Sequence, residues 1–402
     1  MLTEEERKIV AESRGKDPAR LALTLKASQE VRPSVIAQQV DAYNRLRAKV
    51  PTWAQHEGLE FPFPVAIQQC SSEPLARFRC SLTYGDSLID LTGGLGVDCF
   101  FMGYGKSDVT YVDANEDAVS AAEHNYKILR VRNTRFENCK AEDYVAKLLS
   151  EGVMADTMFI DPSRRNATGD RVYRLSDCSP DVTKLAPEML KVSKVAIVKL
   201  SPLLDISLTI KSLSNVTDVY AVGHGTECKD VMLRLSDKDA DKDVTIHAVT
   251  LDDNGEPMHH ISFTQTEERN AKGLTSADLP KDGDYIFIPS PAVMKAAPFA
   301  LLTIRYAVKM LAPGTHVYTK ETDVANFPGR KFIIKRTFDL TKKSISELRK
   351  ETSAASIAVR NFHITAEELR KRLKLGESSQ DFIFGVTASD GKPHLLLCAK
   401  AT

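Results

Sequence analysis

The chain has 402 residues, 43% of them hydrophobic and 27% charged, and 54 Lys and Arg balance 54 Asp and Glu. That is a soluble globular composition long enough for two to four domains, and its zero net charge excludes a global basic field for nucleic acid. No run of about 18 apolar residues is present, MLTEEERKIV lacks a secretory core, and seven cysteines without CxxC spacing argue against zinc and disulfide scaffolds and for a reducing cytoplasm.

In chain order, residues 1 to about 60 read as helices. TEEERKIVAES and DPARLALTLKA each start on a capping residue, and RPSVIAQQVDAYNRLRAKV repeats apolar residues at helical spacing before VPTW breaks it. From about 75 to 237 strands and helices alternate. SLIDL (87–91), VTYVDA (109–114), DTMFID (156–161) and KVAIVKL (194–200) are strands, and EDAVSAAEHNYKILR and TKLAPEMLK are helices. VTDVYAVGHG and CKDVMLRL form a closing hairpin. Repeated βα units predict an α/β fold with a parallel doubly wound sheet. From about 240 two small α+β units come next, the second starting near 320 and holding KFIIKRTFDL, ISELRKE, ASIAVRNF, TAEELRKRLKL, DFIFGVTA and HLLLCAKA.

The turn DLTGGLGVD (90–98) carries the cofactor argument. Asp90 ends a strand, and Gly93, Gly94 and Gly96 come after it, where glycine permits positive φ and close backbone approach. A nicotinamide fingerprint read from Gly94 would need a third glycine where Cys99 stands. The arrangement instead resembles the first motif of class I S-adenosylmethionine-dependent methyltransferases, a Rossmann-like fold. In that family the acid lies near the amino-acid end of the cofactor. Asp113, ending the next strand, fits an acid that binds both ribose hydroxyls. Glu142 and Asp143 come where the family contacts adenine; the residues do not choose between them, and a solvated helix start is equally compatible.

IDPSRR (160–165) ends the fourth strand of that core at its carboxyl edge, where doubly wound folds bind ligands. Amino-methylating enzymes often carry Asn/Asp-Pro-Pro-aromatic there; this chain has Ser163 and Arg164 in the last two places. It is closer to the Asp-Pro-Pro-Arg of RNA uracil-C5 methyltransferases, but their nucleophilic cysteine is replaced by Leu200 in Lys199-Leu200-Ser201-Pro202, and leucine cannot attack a pyrimidine. Cys228 is either a substitute nucleophile or a structural thiol. Arg164 and Arg165 grip a phosphate or base, or they pair with Asp170 or Asp177.

QQCSSE (68–73), DLTGGLGVD, IDPSRR, VKLSPLLDIS (198–207), TECKD (226–230) and RNFHITAEELRKRLKL (360–375) together resemble a bacterial family of class I methyltransferases with a THUMP-like C-terminal domain, nearly end to end. The resemblance implies an N-terminal helical region (1–75), a methyltransferase core (76–238), a small ferredoxin-like α+β domain (239–318) and a THUMP-like domain (319–402). It implies S-adenosylmethionine as cofactor, no metal, no membrane, and RNA as substrate, tRNA or rRNA. Asp161 is then the residue that holds the target base, with Lys199 or Glu227 assisting proton movement. The serines of QQCSSE either close over the cofactor or cap a helix through Ser71 or Ser72.

The tail agrees in charge. Residues 316–402 hold 16 Lys and Arg against 10 Asp and Glu, as a phosphate-binding appendage would. Its candidates are Lys335, Arg336, Arg349, Lys350, Arg360, Arg370, Lys371, Arg372 and Lys374, some of them simply a solvated helix face. Two other functions compete: a non-catalytic RNA-binding protein that keeps the fold, and a methyltransferase of small molecules or proteins, which would leave the basic tail unexplained.

Overall fold

The computed structural model describes residues 2–62, 66–163, 175–239, 242–276 and 278–401. Arg164 and Arg165 lie outside them. The chain divides into two compact units. One is Met1–Gly225 with Lys229–Val244 and Leu251–Pro257; the other is Thr226–Cys228 with Thr245–Thr250 and Met258–Thr402.

The first unit opens with α1 (Glu4–Glu12), α2 (Pro18–Thr24), α3 (Pro33–Lys49) and α4 (Pro51–Ala54). Local sequence starts them. Thr3 and Glu6 form a capping box, Asp17 caps α2, and prolines occupy first turns, where an N–H has no helical partner to lose. Glu6 is also buried and accepts from Arg32 through its backbone N (2.9 Å), Nε (2.8 Å) and Nη2 (2.7 Å). The Arg32 side chain holds the Glu6 carboxyl down to about 2, against the opposing effect of burial.

Residues 59–61 clip these helices to the rest of the unit. Leu59 N donates to Tyr43 Oη at 2.7 Å. Gln39 exchanges two hydrogen bonds with the Phe61 backbone (2.7 and 3.0 Å), and Asn125 two with Glu60 (2.8 and 2.9 Å). Trp53, with no exposed surface, stands edge-on to Phe100 and Tyr126 at 5.5 and 6.3 Å.

Next come α5 (Ala66–Gln69), α6 (Glu73–Cys80), β1 (Ser87–Asp90), α7 (Val97–Met102), β2 (Asp108–Asp113), α8 (Glu116–Ile128), β3 (Thr134–Asn138), α9 (Ala141–Glu151), β4 (Ala155–Ile160), α10 (Val182–Lys191), β5 (Ser193–Leu200), α11 (Ile206–Ser212), β6 (Val216–His224) and β7 (Glu227–Leu235). These strands lie in the order β3-β2-β1-β4-β5-β7-β6. The pairs β1–β2, β2–β3, β1–β4 and β4–β5 are parallel, and β7 runs antiparallel to β5. The chain leaves β1 for β2 on one side and reaches β4 on the other, so the carboxyl ends of β1 and β4 flank a topological switch point. Central residues such as Met158, Phe159, Ala196 and Ile197 are fully buried, as strands covered on both faces require. β3 (TRFEN) departs from the sequence reading: it is the edge strand, half exposed and polar, without an apolar run.

The elements that follow, which belong to the second unit apart from Leu251 and Pro257, are β8 (Thr245–Leu251), β9 (Pro257–Thr264), α12 (Gln265–Asn270), β10 (Tyr285–Pro289), α13 (Pro291–Ala296), α14 (Phe299–Arg305), β11 (Lys309–Met310), β12 (Tyr318–Lys320), β13 (Gly329–Asp339), α15 (Lys342–Glu351), β14 (Ser356–Arg360), α16 (Ala366–Leu373), β15 (Asp381–Thr387) and β16 (Pro393–Lys400). One sheet runs β11-β12-β10-β13-β16-β15-β14, antiparallel except for β14–β15. Leu348 and Leu369 of the helices pack with Ile383 and Leu395. A separate cluster gathers Ile288, Val317, Phe332, Ile334, Phe384, Val386 and Leu396.

Candidate functional site

β1 delivers Asp90 to the switch point with 1% of its surface exposed. One carboxylate oxygen accepts from Thr92 N at 3.0 Å; the other is buried with no partner among the described residues. Burial drives the Asp90 pKa well above the ordinary value, the Thr92 amide opposes this, and neighbouring Asp98, Asp113 and Asp161 add to the rise. An orphaned buried acceptor calls for a donor, and a cationic one would restore its charge.

The turn after it is braced from behind. A Cβ on Gly93 would stand 2.1 Å from the Tyr111 ring, and Gly96 adopts φ +88° with Tyr126 only 2.9 Å from where its Cβ would be. The two phenols hold the loop carbonyls: Tyr111 Oη donates to Gly94 O at 2.6 Å and Tyr126 Oη to Gly96 O at 2.7 Å. Gly94, by contrast, has no foreign atom closer than 3.9 Å to its Cβ position, so its outer side is open. Asp113 completes the cradle, accepting from Gly94 N and Asn115 N, both at 2.8 Å. Each Asp113 oxygen keeps a lone pair for a further donor. An amino group at Asp90 and a diol at Asp113 fit these residues. Glu142 and Asp143 are exposed in the first turn of α9.

Beside the turn, Asp161 comes directly after β4. Its N–H donates to Thr92 Oγ1 at 2.7 Å, which ties it directly to the glycine loop. Asp161 Oδ2 receives Lys199 Nζ at 2.5 Å, and its other oxygen has no partner among the described residues. Lys199 comes from the end of β5 and is 8% exposed. Burial alone would lower its pKa; Asp161 overrides that and raises it. The raised value favours the ammonium form, which can hold charge, donate to Asp161 and position it.

Lys199 is itself held by a network that sequence reasoning missed. Its Nζ donates to Ser71 Oγ at 3.2 Å. Ser71 Oγ donates to Asp98 Oδ2 at 2.6 Å and accepts from Arg79 Nη1 at 2.7 Å. Arg79, 1% exposed, forms ion pairs with both Asp98 and Asp230, and its Nε lies 3.2 Å from Met232 Sδ. Two acids flank one buried guanidinium, the arrangement a buried arginine needs. Burial opposes ionisation of Asp98, but Arg79 and Lys199 hold its pKa below the ordinary value. Ser72 occupies the N-cap position of α6 without a side-chain cap bond, so the QQCSSE serines do not cap the helix; Ser71 serves the network. Glu227 is exposed at the first position of β7 and falls in the second unit.

A signal for the network existed. Arg79 recurs on the buried face of α6 with Leu75, Ala76 and Phe78, a position where an arginine survives only beside acids. Asp98 closes the glycine motif, and Asp230 lies in TECKD.

Two family models match the chain, one described as THUMP domain-like over residues 329–400 and one as a ferredoxin-like domain over 285–328. The crystal structure of a methyltransferase candidate from Porphyromonas gingivalis W83 superposes with a TM-score of 0.88 at 30% identity, covering 100% of both chains. An uncharacterised RNA methyltransferase of Caldanaerobacter subterraneus is 36% identical over 99 residues, 25% of this chain and 22% of that protein. One from Enterococcus faecalis is 28% identical over 101 residues, with the same two shares. The match thus spans under a quarter of the length of these curated relatives. No helix among the described residues is long and apolar enough to cross a membrane.

Proposed function

This chain belongs to the family of methyltransferases that carry ferredoxin-like and THUMP-like C-terminal domains, and from that premise we propose that it transfers a methyl group from S-adenosylmethionine to a base nitrogen in RNA, tRNA or rRNA. The observation that carries the reading is the bond from Asp161 N to Thr92 Oγ1, which places a half-exposed carboxylate against the loop that would hold the donor. The RNA assignment is supported by the curated relatives' names and by the basic, THUMP-like tail.

Asp90 would hold the cofactor's amino group, the backbone at Gly93, Gly94 and Gly96 would lie along its methionine and ribose parts, Asp113 would take the ribose hydroxyls, and Glu142 or Asp143 would meet the adenine. When bound, the cofactor supplies an electrophilic sulfonium methyl. Asp161 accepts a hydrogen bond from the target amine through its unpartnered oxygen and aligns the nitrogen lone pair; such alignment supplies much of the rate in a reaction of this kind. Lys199 donates to Asp161 and fixes it. Buried, apolar Leu200 supports nitrogen rather than pyrimidine C5 as acceptor. Arg164 and Arg165, which come soon after Asp161 in the sequence, are kept as substrate contacts, and Lys199 or Glu227 assists proton movement. None of the seven cysteines forms a disulfide, which suits the reducing cytoplasm where such RNA is met.

The test is incubation of pure protein with methyl-labelled cofactor and total RNA from cells lacking it, followed by mass-spectrometric mapping. Label on one base position, lost in Asp161→Asn, is expected. Label confined to protein or small molecules would end the RNA assignment.

A further inference from the structure

The tail's charge count overstates its free cations. Lys335 Nζ pairs with Asp381 at 2.6 Å and Arg336 with Glu351 at 2.8 Å. Arg349 is spent on the carbonyls of Leu373 (2.8 Å) and Arg372 (2.9 Å), and Arg370 stands 3.7 Å from Glu377. Exposed pairs of this kind cancel charge locally and leave little for a ligand.

Two arginines of the same sheet are different. Arg330 opens β13 two residues before Phe332, and Arg360 ends β14 two residues after Ala358. Phe332 and Ala358 belong to one apolar cluster, so strand alternation puts both guanidinium groups on the face of that cluster. Arg330 lies over the Phe332 ring at 5.7 Å. Neither arginine forms an ion pair among the described residues. Arg360 Nε is buried without a partner, and its Nη1 donates only to Val359 O, at 3.1 Å. Burial first, then Arg330, pushes the Arg360 pKa down, and no carboxylate offsets this. His316 follows Thr315, whose Oγ1 accepts from Asn361 Nδ2 at 3.4 Å, and so lies near Arg360. Its ring stacks on Phe299 at 3.7 Å, its Nδ1 is buried and unpartnered, and burial and Arg360 lower its pKa. His316 and Asn361, the residue after Arg360, both adopt positive φ (51° and 47°), a costly choice for residues other than glycine.

Like charges held together, with buried donors left unsatisfied, are expected where an anion completes the site. We infer that Arg330, Arg360 and His316 form a phosphate site that grips the backbone of the RNA substrate. The anion chemistry stands on these residues alone; its assignment to RNA rests on the function proposed above.

Calorimetry of the full chain with inorganic tripolyphosphate tests the site without RNA. One binding event is expected at low salt, weakened about tenfold or more in Arg330→Gln and in Arg360→Gln, as loss of a charge-assisted contact implies. Arg330 is exposed, so its variant should fold even if the Arg360 variant does not. Lys343→Gln, an exposed control, should change affinity less than about twofold. No binding by the wild type, undiminished binding by Arg330→Gln, or an equal loss in the control would overturn the site. With a short RNA hairpin, both arginine variants should bind about tenfold more weakly, and each should lower the salt slope by about one. Arginine-dependent tripolyphosphate binding with no RNA binding would leave the site standing and sink the RNA reading. Unaltered hairpin binding in both variants would leave the RNA reading standing and overturn the claim that this site grips the RNA backbone.

Discussion

Replacing Arg79 by methionine tests whether the buried network is held by charge balance. In the wild type one guanidinium, 1% exposed, serves Asp98 and Asp230, whose side chains are 12% and 9% exposed. Removing one partner of a buried ion pair costs about 3–5 kcal/mol, because the remaining charge has neither water nor counter-ion. Here two carboxylates lose that partner while Asp98 keeps Ser71 and Lys199, so Arg79→Met should lose about 4 kcal/mol at pH 7. The sign with pH comes from Asp98. Its folded pKa is depressed below the ordinary 3.8, so the stabilisation is complete above that value and fades as pH falls through the lower folded one. In the variant Asp98 loses its main counter-ion and protonates more readily, so the penalty should shrink as pH falls toward the ordinary carboxylate range. The triple variant Arg79→Met, Asp98→Asn, Asp230→Asn removes the charges together and should recover most of the loss. Urea unfolding followed by fluorescence is well suited, because the chain's single tryptophan, Trp53, is wholly buried in this unit. A loss under about 1 kcal/mol, or one that is pH-independent and not relieved in the triple variant, would refute the account.

Asp161→Asn should lower kcat by about 100-fold while calorimetry gives a cofactor Kd within about twofold of wild type, since Asp161 would touch the substrate and not the donor. Gly93→Ala drives a methyl group to 2.1 Å from the Tyr111 ring, so the turn must shift; cofactor affinity should fall by more than about tenfold by the same measurement. Glu6→Gln should cost about 2 kcal/mol near neutrality, less than a fully buried pair because Arg32 is half exposed. Since the Glu6 carboxyl is held near 2, that difference is complete above about pH 4.5 and should vanish in chemical-denaturation curves as pH approaches 2.

How much is legible in the sequence depends on how local each signal is. β1, β2, β4 and β5 announce themselves as apolar runs ending in turn residues, and Asp90 and Asp113 stand out because each terminates such a run. β3 does not, since an edge strand with one wet side needs no apolar run. Asp161 is legible through its place after a strand. Its surroundings are not: Arg79 reaches Asp98 across 19 residues and Asp230 across 151, and only the folded sheet brings them together. The tail's excess charge is countable, but counting cannot tell Lys335, neutralised by Asp381 on a strand 46 residues away, from Arg330, which has no acid beside it among the described residues.

The clip at residues 59–61 bears on how the polypeptide would withstand cleavage. Gln39 and Asn125 act as side-chain substitutes for neighbouring strands, Gln39 gripping Phe61 and Asn125 gripping Glu60 from opposite directions along the chain. Just before them, Glu57 is exposed and Gly58 takes φ +83°, a natural place for a protease to enter. A scission there would sever the backbone yet leave the Tyr43 and Gln39 contacts and the Trp53 packing in place. The two fragments should therefore travel together through gel filtration and part only in denaturant.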